Sequence, residues 1–341
     1  MSITIKDIAK ASGVSISTVS RVLSSSQAVD QEKKERVMKA VRELNYVPNN
    51  NARNLRKTQS QTVMILAKTI DNPFFQKIIH NLEKLLKLRG LMLEIRNVGR
   101  NDDEIELAKR EARNSNLCGI ILLGGVFGYT DEDFRTIGIP CVLVTIRAKA
   151  EVNSDYYSSV IIDDVAEMKK ATSHLIQLGH RRIGCIYTKS HEDETPNTLR
   201  LKGYLQALEE HGIPGDPQLI GTGMQGDQSG YEFSFDIMMR LVERNPDMTA
   251  VVAMSDVLAI GAAKAVVASG RKIPEDISVI GFDGTDVAEY WNPSLDSVAQ
   301  PVEQFSQKTA DALFQMLSDK KTSHTVLECS LIPRGSCRPN P

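Results

Sequence analysis

From Gln61 onward, short runs rich in aliphatic and β-branched residues alternate with longer segments of helical period. Val63–Ala67, Leu91–Asn97, Gly119–Leu123 and Cys141–Thr145 read as strands, with helices between them over Phe74–Arg89, Asp102–Asn114 and Asp131–Ile137. The alternation resumes with helices over Met168–Leu178, Thr198–His211, Gly230–Glu243 and Val257–Ser269. Strands fall over Arg182–Tyr187, Leu219–Gly221, Ala250–Met254 and Ser278–Phe282. Parallel strands need a crossover of about this length, so the pattern implies a parallel α/β architecture. The roughly 270 residues involved are too many for one such sheet, and two similar Rossmann-like lobes are expected. Ligands of these folds sit beyond the carboxyl ends of the strands, here the cleft between the lobes.

The first sixty residues are different. They hold eleven Lys/Arg against five Asp/Glu, a net +6, while the rest of the 341-residue chain carries −8. A small basic module on a large acidic body points to a polyanion partner for the module alone. Thr4 suits the cap of a helix over Ile5–Ala11, with Asp7 in its first turn, and Gly13 permits a tight turn. Ser15 suits the cap of a second helix, Ile16–Leu23, and Asp30 that of a third ending near Leu44–Asn45. Val37, Ala40, Val41 and Leu44 recur at helical spacing in the third. Two short helices around a glycine turn make a helix-turn-helix. The second exposes Ile16, Ser17, Ser20 and Arg21, and a guanidinium there suits a bidentate contact with guanine. The following Asn49–Arg56 stretch is too polar and too short for a stable isolated helix. Its Leu55 fits either a wedge between base steps or a plain linker with one buried leucine.

The segment ITIKDIAKASGVSISTVSRVL…ERVMKAVRELNYVPNNNARNLR resembles the headpiece and hinge of the lactose-repressor (LacI/GalR) family of bacterial transcription regulators. The likeness runs without a gap through about sixty residues and extends over the body. There, Asn72-Pro73-Phe74-Phe75, Leu178-Gly179-His180-Arg181-Arg182-Ile183, Arg200 with Gly203-Tyr204, Gly281-Phe282-Asp283, Pro301 and Pro333-Arg334-Gly335-Ser336 stand at the family's spacings. The resemblance implies a helix-turn-helix headpiece (1–46), a hinge helix and linker (47–60), and a periplasmic-binding-protein-like body. One lobe would comprise 61–161 with about 292–322, the other 162–291 with about 323–341.

It further implies that Ile16, Ser17 and Arg21 read bases, that Thr4, Ser15, Thr18 and Asn49 hold phosphates, and that Leu55 is the hinge wedge. Ile16 offers only apolar contact, for example to a thymine methyl group. The effector cleft would be lined by Asp71, Phe74, Thr145, Arg200, Ser255, Asp283 and Gln300. Arg200 is a fork of donors for a carboxylate, phosphate or sugar hydroxyls, Asp283 accepts from paired hydroxyls, and Phe74 suits a sugar face. Many members carry an acid where Thr145 stands, an Asn where Ser255 precedes Asp256, and an aromatic where Gln228 follows Gly226-Asp227. The implied partners are a pseudo-palindromic double-stranded DNA operator, a carbohydrate-like effector and a second copy of the chain. No leucine-heptad tail follows Ser336 to build a tetramer.

Other classes find little support. Gly221-Thr222-Gly223-Met224-Gln225-Gly226 has the G-x-G-x-x-G spacing of a dinucleotide-binding enzyme. Its preceding strand is short, and Glu243, the candidate ribose ligand, falls inside a helical run, so a flexible surface loop is expected. No G-x-S-x-G elbow occurs, and the six histidines do not cluster with acids, so neither catalysis nor a metal or other cofactor is expected. The five cysteines form no CxxC pair and read as buried free thiols. No apolar run reaches the ~20 residues of a membrane span, and MSITIKDIAK lacks a secretory core. A cytoplasmic protein is expected.

Overall fold

The computed structural model describes residues 5–23, 30–44, 60–99, 102–125, 127–189, 194–224 and 230–340. The chain divides into two compact units, Met1–Gln59 and Ser60–Pro341.

The first unit contains helices α1 (Ile5–Ser12), α2 (Ile16–Leu23) and α3 (Gln31–Glu43). Ile8, Ala9, Val19, Val22, Val37 and Ala40 close its small core, with Val14, Val41 and Leu44 against them. Gly13 takes φ 65°, the left-handed conformation that lets α1 turn sharply into α2. Ser15 Oγ accepts from Thr18 N at 3.2 Å, and Asp30 Oδ1 accepts from Glu32 N and Lys33 N at 3.0 and 3.4 Å. Arg36 of α3 donates to Ser12 O at 2.7 Å and to Gly13 O at 3.1 Å. One of the module's cations is therefore committed to the last carbonyls of α1, where a positive charge also suits the helix dipole.

The second unit holds two six-stranded sheets among the described residues. Strands β1 (Thr62–Lys68), β2 (Met92–Val98), β3 (Gly119–Leu123), β4 (Cys141–Val144), β5 (Ser158–Ile162) and β11 (His324–Leu327) form the first, ordered β11-β5-β4-β3-β1-β2 and parallel throughout. Strands β6 (Ile183–Lys189), β7 (Ile220–Met224), β8 (Ala250–Ala253), β9 (Ser278–Asp283), β10 (Asp296–Ala299) and β12 (Ser330–Ile332) form the second, ordered β12-β10-β9-β8-β6-β7. Only the β10–β12 pair is antiparallel. Helices α4 (Pro73–Leu88), α5 (Glu104–Asn114) and α6 (Asp131–Ile137) serve the first sheet. Helices α7 (Asp164–Gln177), α8 (Pro196–Glu210), α9 (Gly230–Arg244), α10 (Asp256–Ala268) and α11 (Asp286–Tyr290) serve the second. Helix α12 (Val302–Asp319) returns to pack on α4, β4 and β5.

The central strands β3, β4, β8 and β9 are buried along their whole length, as expected of parallel strands covered on both faces. The chain crosses between the sheets after β5, after β10 and after β11. The last two crossings differ from the sequence expectation of breaks near 292 and 323: β10 belongs to the second sheet and β11 to the first. Both strands have only four residues, too few for the alternation of Asp296-Ser297-Val298-Ala299 or His324-Thr325-Val326-Leu327 to announce its sheet. All five cysteines are free, and burial pushes the Cys141 thiol up to about 12.

Gly203 of α8 lies so close to α7 that a Cβ there would overlap the Val165 carbonyl oxygen. Gly203→Ala is expected to destabilise the body by about 1–3 kcal/mol through overpacking, read as a lower thermal midpoint. An unchanged midpoint refutes the close-packing role.

Candidate functional site

The lobes touch where Asn72, ahead of α4, meets Asp283 at the end of β9, and the residues around Asp283 are organised about one buried cation. Arg200 sits in α8, a helix begun by a reciprocal cap in which Thr195 Oγ1 accepts from Thr198 N and Thr198 Oγ1 accepts from Thr195 N. Only 7% of Arg200 is exposed. Its Nε donates to Asp164 Oδ1 at 2.8 Å and its Nη1 to Met254 O at 2.6 Å, while Asp283 Oδ1 lies 3.9 Å from Nη1. The guanidinium carbon also stands 3.7 Å above the Phe282 ring. Two carboxylates, a carbonyl and a ring face surround this cation, and its hydrogen bonds leave through Nε and Nη1.

Asp283 ends β9 with φ 115°, a conformation L-residues rarely adopt. Gly284 beside it is pressed on Ala299, leaving no room for a Cβ. The Asp283 carboxylate accepts from Gln300 Nε2 at 2.8 Å and from Asn72 Nδ2 at 3.2 Å, the latter from the opposite lobe. Behind it, Asp256 at the start of α10 accepts from Thr285 N, Thr285 Oγ1 and Ser297 Oγ at 2.6, 2.9 and 2.7 Å. Burial raises the pKa of Asp164, Asp256 and Asp283 against the opposing pull of their partners, and that of Asp283 reaches about 7.

Thr145, directly after β4, has φ 64°, and a β-branched residue in that region is strained. It is buried, and its Oγ1 has no hydrogen-bond partner among the described residues. Gln300 Oε1 is likewise buried and unsatisfied. Ser255 is half-buried and caps α10, accepting from Leu258 N at 3.2 Å. Asp71 is exposed, and its charge acts on Tyr231 of the other lobe, whose hydroxyl pKa is raised chiefly by burial and further by Asp71.

Two expectations need correction. Phe74 does not offer its ring to the cleft: it is 2% exposed, edge-on to Phe305 with centroids 5.9 Å apart and tilted against Phe75. Core packing by α12 takes the ring inward, and the half-buried Phe75 lies beside Gly124 at the end of β3. The stretch at Gly221–Met224 is a strand, where a surface loop was expected. Gly221 and Gly223 pair with Ile186 and Thr188, and a Cβ at Gly221 would collide with Ile237 and Leu241 of α9. These glycines serve helix–sheet packing, since a pyrophosphate cradle needs its first glycine in the turn after the strand.

In the first unit, Ile16 is exposed at the start of α2, and Ser15 and Thr18 are joined by a 2.9 Å contact between their hydroxyl oxygens. Val19 and Val22 of α2 face the core. The side chains of Ser17 and Arg21 lie outside the described residues, as do Thr4, Asn49 and Leu55. Among the described residues no His/Cys/Asp/Glu group has metal-binding geometry. His180 is structural, its ring nitrogens at 3.0 Å from Thr249 Oγ1 and 3.1 Å from Arg338 O.

Sequence reading missed Asp164, which holds Arg200. Asn72, and Phe282, which stacks on Arg200, were visible only as parts of motifs. A buried arginine demands a carboxylate, but nothing local says which of the chain's acids supplies it.

Two family models match the chain: bacterial regulatory proteins of the lacI family over residues 4–49, and a periplasmic binding protein-like domain over residues 172–337. The regulator MalR of Clostridium butyricum is 34% identical over 339 residues, covering 98% of each chain. The repressor CytR of Escherichia coli (strain K12) is 31% identical, covering 99% of this chain and 97% of its own. A solved complex of the transcriptional regulator CelR with cellobiose superposes with a TM-score of 0.69 at 30% identity, over 98% of this chain and 99% of that one.

Because Asp283 has a higher pKa folded than the ordinary unfolded value near 4, the folded chain binds more protons between about pH 4 and 7. This residue's contribution to stability therefore falls as pH rises through that window and levels off above it. Asp283→Asn is expected to gain stability relative to the wild type from pH 4 to 7, by at most about 1.4 kcal/mol per pH unit. Urea titrations at a series of pH values measure the difference, and a pH-independent difference overturns the assignment.

Proposed function

The chain belongs to the lacI family of bacterial regulatory proteins, and from that premise we propose that it is a ligand-responsive repressor which binds a pseudo-palindromic operator as a homodimer. It is a transcription regulator and not an enzyme, as are the relatives it matches over nearly their whole length. Residues 1–46 act as the headpiece, with Ile16, Ser17 and Arg21 on bases and Thr4, Ser15, Thr18 and Asn49 on phosphates. Residues 47–60 act as the hinge, and paired Leu55 side chains open the central base step. A regulator of this kind works in the cytoplasm, where its operator is. The dimer reading is supported by apolar side chains left exposed on both lobes: Leu88, Met92 and Ile95 at the end of α4 and on edge strand β2, and Val287 and Tyr290 on α11. An effector between the lobes changes their closure, and with it the population of hinges competent for DNA.

Two buried, unsatisfied oxygens carry the reading of the effector's class. Asp164 and Asp283 flank Arg200, with Asp256 behind them and Arg147 also acting on Asp164, so the charges at these described residues face one another. The unsatisfied Thr145 Oγ1 and Gln300 Oε1 instead await hydrogen-bond donors. An uncharged polyhydroxylated ligand supplies these, and CelR's cellobiose is of that class.

Thermal-shift titrations with matched sets, each a neutral sugar with its phosphate ester and its uronic acid, test this. A neutral sugar that binds only the folded chain at 100 times its Kd adds about 2.7 kcal/mol, and its anionic partners are expected to give no shift. A phosphate or acid that outperforms its neutral parent overturns the neutral-effector reading. For the headpiece, Arg21→Ala is expected to cost about 1–3 kcal/mol of operator affinity and to relax the preference at one base pair. Binding-site selection with both proteins measures this, and a uniform loss over all sequences makes Arg21 a phosphate contact.

A further inference from the structure

Contacts across the cleft converge on the first turn of α4. Asn72, its N-cap, uses both ends of its side chain: Oδ1 accepts from Phe74 N at 3.0 Å, and Nδ2 donates to Asp283 Oδ2 at 3.2 Å in the other lobe. Lys77, one turn on, reaches Asp286 Oδ1 at 3.1 Å. That second pair is exposed, with 45% and 70% of the side chains accessible, and a surface ion pair of this kind holds little. The Asn72–Asp283 bond differs because its acceptor is a buried carboxylate. The strained backbone of Asp283 and the close contact of Gly284 with Ala299 fix that carboxylate in place. The other polar groups facing Asp283 are Arg200, Gln300 and, behind it, Asp256, all in the second lobe or on the strand leaving it. Asn72 is its contact from the first lobe among the described residues.

We propose that Asn72 is an inter-lobe clamp, holding the lobes together through the Asp283 oxygen that a ligand hydroxyl would take. The amide NH2 is a neutral donor of the same kind as a sugar hydroxyl, so the clamp stands in for part of the ligand. Effector entry then exchanges one donor for another on Asp283, and a compound too small to replace the amide leaves the clamp shut. The exchange of the clamp for a ligand rests on the effector reading above.

The test is hydrogen exchange by mass spectrometry on the ligand-free full-length protein and its Asn72→Ser and Asn72→Asp variants. Ser and Asp cap helices about as well as Asn, so α4 keeps its first turn in both. Ser is too short to reach Asp283, and Asp sets one carboxylate against another. The expected result is exchange accelerated about fivefold or more in the second-lobe peptide 284–291, with the 74–80 peptide unchanged. Unchanged exchange at 284–291 in both variants overturns the clamp. Acceleration confined to 74–80 overturns it too, leaving Asn72 a helix cap alone. The sugar series judges the effector reading separately, so the two can fail independently.

Discussion

The body depends on the placement of one positive charge that solvent hardly reaches. Arg200 ties together α8, the start of α7 through Asp164, the end of β8 through Met254 O and the end of β9 through Asp283. A buried guanidinium is tolerated only where every direction it faces is met, and here carboxylates, a carbonyl and an aromatic face meet it. Asp164 follows directly on the first passage of the chain between the sheets, so the same pair that satisfies the charge also fixes where the second lobe begins.

Strain falls at strand ends. Thr145 and Asp283, two of the positive-φ residues other than glycine, stand directly after β4 and at the end of β9, in the two different sheets. Backbone in such conformations persists only where surrounding packing over-determines it. For Asp283 that packing is visible, with Gly284 pressed on Ala299 and Gln300 bonded to the carboxylate. Two lobes built separately from ordinary parallel sheets thus each place a strained residue directly after or at the end of a strand.

The sequence revealed most of the architecture because burial on both faces leaves a clear trace. Gly119–Leu123 and Asp131–Ile137 are found with the bounds their patterns predict, as is α2 in the first unit. It did not reveal β10, β11 or β12, whose four or fewer residues at or near sheet edges are too short for a period to develop. At the cleft, residue types were legible and orientations were not. Phe74 and Phe75 are adjacent in one motif, and which ring turns inward is decided by Phe305, far away in the chain. Arg200 and Asp283 stood out as charges at family spacings, but their mutual proximity, and their dependence on Asp164 and Asn72, exist only in three dimensions.

The repeated passage between the sheets has a consequence for synthesis on the ribosome. β11, an edge of the first sheet, and β12, an edge of the second, both lie within the last eighteen residues before Pro341. Neither sheet is therefore complete until β11 and β12 have been made, whereas the helix-turn-helix precedes them by about 280 residues and has its own core. At bacterial elongation rates the 282 residues of the second unit take roughly 15–60 s to add. For that interval the nascent chain carries a compact basic module and two unfinished sheets.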